Sequence, residues 1–131
     1  MGNAKSCECS AGPTLIFACS GAADVGELSD LAARKLNKEG VGKMFCLAGV
    51  GGRVAGIMGN TKGAARLLAI DGCGLDCARL TLEQAGICDF AHMRVTDLGM
   101  AKGETPVTTG NVTRVADEAA ATLMTSPGRK A

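Results

Sequence analysis

Short apolar runs, each followed by a polar break, recur along the chain. They cover residues 14–20 (TLIFACS), 43–49 (KMFCLAG), 66–73 (RLLAIDGC) and, with more polar residues, 90–97 (FAHMRVTD). Nearly continuous apolar strands of this length are typical of a parallel sheet that is covered on both faces. The pattern therefore predicts four strands.

Apolar residues at helical spacing lie between these runs. After the first run, Asp24 and Glu27 have the spacing of a capping box, which predicts a helix with Asp24 as its N-cap. Similar stripes predict helices over 75–85 and 112–124, and the glycine-rich stretch 49–65 is expected to hold two short ones.

The alternation of strands and helices predicts the fold class. It is a single-domain α/β three-layer sandwich with a mostly parallel four-stranded sheet, in flavodoxin-like or Rossmann-like order. A chain of 131 residues forms one domain on its length. Residues 1–12 and 126–131 are expected to be mobile ends.

Composition and charge narrow the class of protein. Fourteen basic residues face thirteen acidic ones, and the chain has three Phe and neither Trp nor Tyr. A nearly neutral chain with few aromatic side chains for stacking is not expected to bind nucleic acid. No apolar run approaches the ~18 residues of a membrane span, and the first residues lack the pattern of a signal peptide. We therefore expect a cytoplasmic protein with no membrane contact.

Seven cysteines are the main chemical feature of the sequence, and in a cytoplasmic chain they indicate metal ligands, redox thiols or small buried side chains. Cys19, Cys46 and Cys73 come at or near the ends of the first three predicted strands, and Cys77 opens the next helix. The carboxyl ends of parallel strands share one edge of a sheet, so these four thiols are expected to lie together. Four thiolates suit a tetrahedral Zn²⁺ site, and they also suit an iron–sulfur cluster.

For several other polar residues, the sequence allows both a functional role and a purely structural one. Asp71 and Asp97 come at the carboxyl ends of strands, where each is a candidate to orient the ligand-bearing loops by accepting N–H bonds; a plain loop cap is the alternative. His92 lies inside the fourth strand and is expected to be an ordinary strand residue, with a ligand or proton-shuttle role as the alternative. Cys88 precedes that strand, at the opposite end of the sheet, and is expected to be structural.

Three stretches of the chain form a recognisable set: AIDGCGLDCA at 69–78, ACSGAADVG at 18–26 and TDLGMAKG at 96–103. Together they resemble the DGC-domain family, prokaryotic proteins described as zinc-binding. The family is named for the Asp-Gly-Cys that stands here at 71–73, and the resemblance covers about residues 14–103. It implies that Cys19, Cys46, Cys73 and Cys77 are zinc ligands, and it implies no particular reaction. Cys7 and Cys9 lie outside the family pattern and are alternate ligand candidates.

Two kinds of function follow from these thiols. The first is a zinc-binding protein, whose closed site would stabilise the sheet edge or present a surface to an unidentified protein partner. The second is an enzyme or carrier that uses the same cysteines for redox, sulfur-transfer or metal-transfer chemistry. A structural zinc has four protein ligands, whereas a catalytic zinc keeps an open position. The sequence leaves open whether the chain is an enzyme.

Overall fold

The structure is a computed structural model and describes residues 12–129. Its sheet has four parallel strands, β1 (Thr14–Ala18), β2 (Lys43–Met44), β3 (Arg66–Asp71) and β4 (Ala91–Arg94). Their spatial order is β2-β1-β3-β4. This is the flavodoxin-like order of a doubly wound sheet, so the prediction of the fold class is confirmed.

Five α-helices connect and flank the strands within this part of the chain. They are α1 (Asp24–Lys38), α2 (Leu47–Gly51), α3 (Ala55–Lys62), α4 (Cys77–Gln84) and α5 (Thr109–Thr125), with a short 3-10 helix at Val95–Leu98. None of the helices between residues 12 and 129 combines the length and apolar character that crossing a membrane requires.

Side chains of the central strands alternate between two cores, because successive residues of a strand point to opposite faces. One set packs with α1 and α5, and it includes Ile16, Ala18, Leu68 and Ile70. The other set packs with α2, α3 and α4, and it includes Leu15, Phe17, Leu67 and Ala69. The result is the expected three-layer sandwich.

The second strand is shorter than its apolar run predicts, because residues 47–51 form a helix. The N–H of Phe45 still donates to the Ile16 carbonyl, but the Cys46 carbonyl then accepts the N–H groups of Gly49 and Val50. The chain therefore turns into α2 directly after β2. An apolar run of this length does not by itself distinguish a strand from a buried helical turn.

The predicted capping box at the start of α1 is wrong. The N-cap position is Ala23, and Asp24 is already helical. The Asp24 carboxylate instead accepts the N–H groups of Gly103 at 2.9 Å and Thr105 at 3.0 Å. These bonds attach the loop 101–105 to the first turn of α1 and hold the Asp24 pKa below its ordinary value.

Arg129, the last residue that the structure describes, anchors the segment that follows α5. The Arg129 guanidinium donates to three carbonyl oxygens at and just after the end of α3 and forms an ion pair with Asp89 at 3.0 Å. Its backbone N–H donates to the Ala65 carbonyl. These contacts hold the described part of the segment against the amino edge of the sheet.

Candidate functional site at the carboxyl edge of the sheet

The four cysteines predicted as ligands all lie at the carboxyl edge. Cys19 directly follows β1, Cys46 comes two residues after β2, Cys73 comes two residues after β3, and Cys77 is the first residue of α4. Since β1 lies between β2 and β3, the three strand ends are neighbours at spacings of about 4.8 Å. The sheet order therefore brings residues that are far apart in sequence to one edge.

The described sulfur atoms are not gathered at the spacing of a four-cysteine zinc site. Among residues 12–129, no three cysteine sulfurs lie within 4.8 Å of one another. Four thiolates bound to zinc at about 2.3 Å would be about 3.8 Å apart. Cys46 and Cys77 are exposed, whereas Cys19 and Cys73 are half-buried. The four-cysteine zinc site stays a prediction.

Cys19 has the most contacts of the four thiols. Its Sγ accepts the N–H of Gly72 at 3.3 Å and lies 3.3 Å from the Ser29 hydroxyl. Ser29 itself donates to the Gly26 carbonyl at 2.7 Å, so the thiol is left as the donor in the contact between the two side chains. These bonds connect the end of β1 to the first turns of α1 and to the Asp-Gly-Cys loop.

Asp71 caps the helix that begins at Cys77. It is 1% exposed, and its carboxylate accepts the N–H of Ala78 at 2.7 Å and the N–H of Arg79 at 3.1 Å. The formal N-cap residue, Asp76, has a left-handed backbone and makes no side-chain cap. Asp71 therefore satisfies the free N–H groups of α4 from the end of the neighbouring strand, which fixes where Cys77 lies.

Gly72 lies where a side chain has no room. A Cβ at this position would come within 2.8 Å of the backbone of Val25 and Gly26, in the first turn of α1. The end of β3 therefore packs directly on α1, backbone against backbone. The first two residues of the Asp-Gly-Cys triplet thus have structural roles, a helix cap and a close backbone contact.

An ion-pair network surrounds Asp76, beside the cap. Arg94 donates to both carboxylate oxygens at 2.6 Å, and Arg79 donates to one of them at 3.0 Å. The hydrogen bonds from Arg94, opposed by burial, hold the pKa of Asp76 far below its ordinary value. The same pairing raises the pKa of Arg94. Sequence analysis missed this network, because its partners lie 18 residues apart and on different elements.

His92 lies within β4, as predicted, and joins this network. Its Nε2 is 2.9 Å from Asp71 Oδ2 and 3.6 Å from Asp76 Oδ1. Between residues 12 and 129, these three side chains are the one group of at least three His, Cys, Asp or Glu with ligand atoms within 4.8 Å of one another. Every carboxylate oxygen already accepts a bond, however, and two guanidinium groups neutralise Asp76. We therefore assign the group to the ion-pair network and not to a cation site.

The other predicted residues lie away from this cluster. Asp97 is exposed in the short 3-10 helix, where its charge contributes to the raised pKa of Arg94. Cys88 is exposed at the amino edge, before β4. Cys7 and Cys9 lie outside the described residues.

Lys102 extends toward the cysteine edge from the loop that Asp24 holds. Its Nζ is 3.7 Å from Cys73 Sγ. An ammonium group beside a sulfur is one of the environments in which reactive cysteines are found. No sequence motif indicated this contact, because the residues are separated by 29 positions.

A cleft of about 480 Å³ opens beside Cys19, and we call it the Arg34 cleft. Its walls come from the end of β1, the middle of α1, the β2–α2 connection and α4, and they include Cys19, Asp30, Arg34, Phe45, Leu47 and Thr81. A second hollow of about 480 Å³ shares Arg34, Met44 and Phe45 with it and adds Asn37 and Lys38. The edge thus combines thiols with an adjoining, partly apolar cleft.

The fold and the site define a class of protein: a flavodoxin-like α/β domain with an Asp-Gly-Cys loop and further cysteines at the carboxyl edge of its sheet. The sequence model of the DGC domain family matches residues 15–126, and the chain belongs to that family. It is similar to the anaerobic and virulence modulator AnvM of Pseudomonas aeruginosa, with 32% identity over 88 residues, 67% of each chain. No solved structure matches the chain significantly.

Proposed function

We propose that this DGC-domain chain is a zinc-binding protein whose ligands are Cys19, Cys46, Cys73 and Cys77. The observation that carries the proposal is the position of these residues at three adjacent strand ends and at the start of α4. A set of four thiols is a donor set that zinc prefers. Zinc bound there would cross-link the ends of β1, β2 and β3 to the first turn of α4.

The chemistry of the donors fits zinc, and the two more exposed thiols are free to change position. Cys46 and Cys77 are exposed side chains, so rotation about their side-chain bonds changes the sulfur positions without disturbing a core. Cys19 and Cys73 are half-buried, and Cys19 Sγ also accepts the N–H of Gly72 and contacts the Ser29 hydroxyl. Metal binding is therefore expected to order the two exposed thiols against the two half-buried ones.

Elemental analysis of protein purified anaerobically, without added metal, tests the proposal. We expect about one zinc per chain, with all four edge cysteines protected from alkylation. Cys73→Ser should remove most of the metal, whereas Cys88→Ser, a matched substitution at the opposite edge, should leave it in place. Equal losses in the two variants would refute the site. Iron with acid-labile sulfide would indicate a cluster and a role in electron transfer or sensing.

A second candidate is thiol chemistry without a resident metal, such as redox, sulfur-transfer or metal-transfer chemistry. One observation favours it: the Lys102 ammonium lies 3.7 Å from Cys73 Sγ. The relative is named an anaerobic and virulence modulator, and exposed thiols undergo reversible oxidation. Metal-free protein, with Cys73 alkylated faster than Cys88, would support this candidate over zinc binding.

A further inference from the structure

The Arg34 cleft is lined by a positively charged side chain, that of Arg34, which has no role in the proposed zinc binding. Arg34 donates through Nε to Asp30 Oδ2 at 2.7 Å, and its side chain is 59% exposed. Within residues 12–129, its Nη1 and Nη2 groups make no hydrogen bond to the protein. As far as residues 12–129 are concerned, the guanidinium therefore has its two terminal amino groups available for a ligand, and these present the planar, paired N–H geometry that matches a carboxylate.

Asp30 fixes Arg34 relative to the cysteine edge. One oxygen of Asp30 accepts the Arg34 Nε–H, and the other accepts the Ser20 hydroxyl at 2.7 Å. Ser20 directly follows Cys19 in the chain. Two short hydrogen bonds thus connect the guanidinium to the residue beside the thiol, so Asp30 is a positioning residue for Arg34.

The remaining surface of the cleft decides which anion fits. Met44, Phe45 and Leu47 supply apolar lining to the same cleft. Asp30 offsets the charge of Arg34 within the cleft, and Lys38 adds one positive charge in the adjoining hollow, so the surroundings favour a monoanion over a multiply charged phosphate. A volume of about 480 Å³ lies within the range of small-molecule sites.

We propose that the Arg34 cleft binds a small organic carboxylate, with the carboxylate on Arg34 and an alkyl or aryl body against Met44, Phe45 and Leu47. The bound molecule would lie beside Cys19, at the edge where the proposed metal or thiol chemistry takes place. The proposal depends on Arg34 and the apolar lining, and it does not require that zinc be bound.

Titration of ¹⁵N-labelled protein with 3-phenylpropionate, followed by two-dimensional NMR, tests the proposal. We expect saturable shifts at the backbone N–H groups of Ser20, Phe45 and Ala48. The neutral analogue 3-phenylpropanamide should bind about fivefold more weakly, since an exposed ion pair contributes up to about 1 kcal/mol. Inorganic phosphate, which lacks the apolar body, should not compete.

Three variants separate recognition by Arg34 from a general charge effect. Arg34→Gln should weaken 3-phenylpropionate about fivefold and leave 3-phenylpropanamide unchanged. Arg34→Lys, which keeps the charge but not the paired donors, should lie between. Arg114→Gln, the same change on the exposed side of α5, should behave as the wild type. The NMR spectra of the variants also report whether each is folded.

The proposal is overturned if the acid and the amide bind equally, if Arg34→Gln binds the acid as the wild type does, or if no saturable shift appears at the cleft. Zinc content measured on the same samples keeps this result separate from the proposed function. Arg34→Gln should bind 3-phenylpropionate about fivefold more weakly and keep its metal, whereas Cys73→Ser should lose metal and bind 3-phenylpropionate as the wild type does.

Discussion

The substitution Asp71→Asn removes the negative charge of the buried carboxylate that caps α4, and it keeps the size and shape of the side chain. Asp71 uses one oxygen for the N–H of Ala78 and the other for the N–H of Arg79 and for His92. An amide has one carbonyl oxygen, so its NH₂ group must face at least one of the two backbone N–H groups. The variant therefore loses a backbone bond and also the negative charge at the start of α4.

The magnitude follows from these two losses. An unsatisfied buried N–H costs about 1–3 kcal/mol, and a charge at a helix N-terminus contributes about 0.3–1 kcal/mol. We expect the free energy of unfolding to fall by about 2–3 kcal/mol. With an unfolding entropy of about 2.1 cal/mol/K per residue, a chain of 131 residues would lose about 7–11 °C in Tm.

Thermal unfolding at pH 7, followed by circular dichroism with and without a chelator, measures this effect. Asp97→Asn is the matched control, because Asp97 is exposed and should change the free energy by no more than about 0.5 kcal/mol. The Asp71→Asn difference should survive chelation, since the cap does not involve metal. A Tm within about 3 °C of the wild type, or a difference that vanishes with chelator, would refute the assignment of Asp71 as a cap.

Two further substitutions test the neighbouring contacts. Gly72→Ala should lower the free energy of unfolding in urea by about 1–3 kcal/mol, because the added methyl would lie 2.8 Å from the Gly26 backbone. The control Gly74→Ala, where space is open, should leave the free energy of unfolding unchanged. Equal effects of the two substitutions would contradict the close packing at Gly72. Asp76→Asn should lower the free energy of unfolding by about 2–3 kcal/mol at pH 7. This is less than the loss expected for breaking a fully buried ion pair, because the Arg94 side chain is 37% exposed. Since the folded pKa of Asp76 is depressed, this stabilisation is present above its unfolded pKa of about 3.9 and is lost as pH falls through the folded value. The difference in Tm between wild type and Asp76→Asn should therefore narrow below about pH 4, and a difference independent of pH would contradict the ion pair.

The strands and their parallel arrangement were predictable because their signals are local or topological, whereas the sequence left a flavodoxin-like and a Rossmann-like strand order both open. Apolar runs such as 66–73 reveal buried strands directly, and the rules for parallel sheets then place the residues that follow them at one edge. The shortening of β2 was not predictable, since residues 47–49 are as apolar as a strand and turn into a helix only through the bonds that Cys46 accepts.

The polar network at the start of α4 depends on strand register, which the sequence does not reveal. Asp71 lies opposite Arg94 and Ala69 lies opposite His92 in the pairing of β3 with β4. A register different by one residue would turn His92 to the other face of the sheet. The contact of Lys102 with Cys73 is equally non-local, because it depends on the loop that Asp24 holds to α1.

The Asp-Gly-Cys triplet therefore combines separate physical roles in three consecutive residues. Asp71 caps α4 and so fixes Cys77, Gly72 lets the end of β3 contact the first turn of α1, and Cys73 supplies a thiol beside Lys102. The first two roles act on stability and the third acts on chemistry. Substitutions of Asp71 and Gly72 should therefore lower the free energy of unfolding equally with and without metal, whereas Cys73→Ser, whose side chain also packs against the core, should lower it more where metal was bound. Unfolding measured with and without a chelator thus distinguishes the structural roles of Asp71 and Gly72 from the proposed ligand role of Cys73.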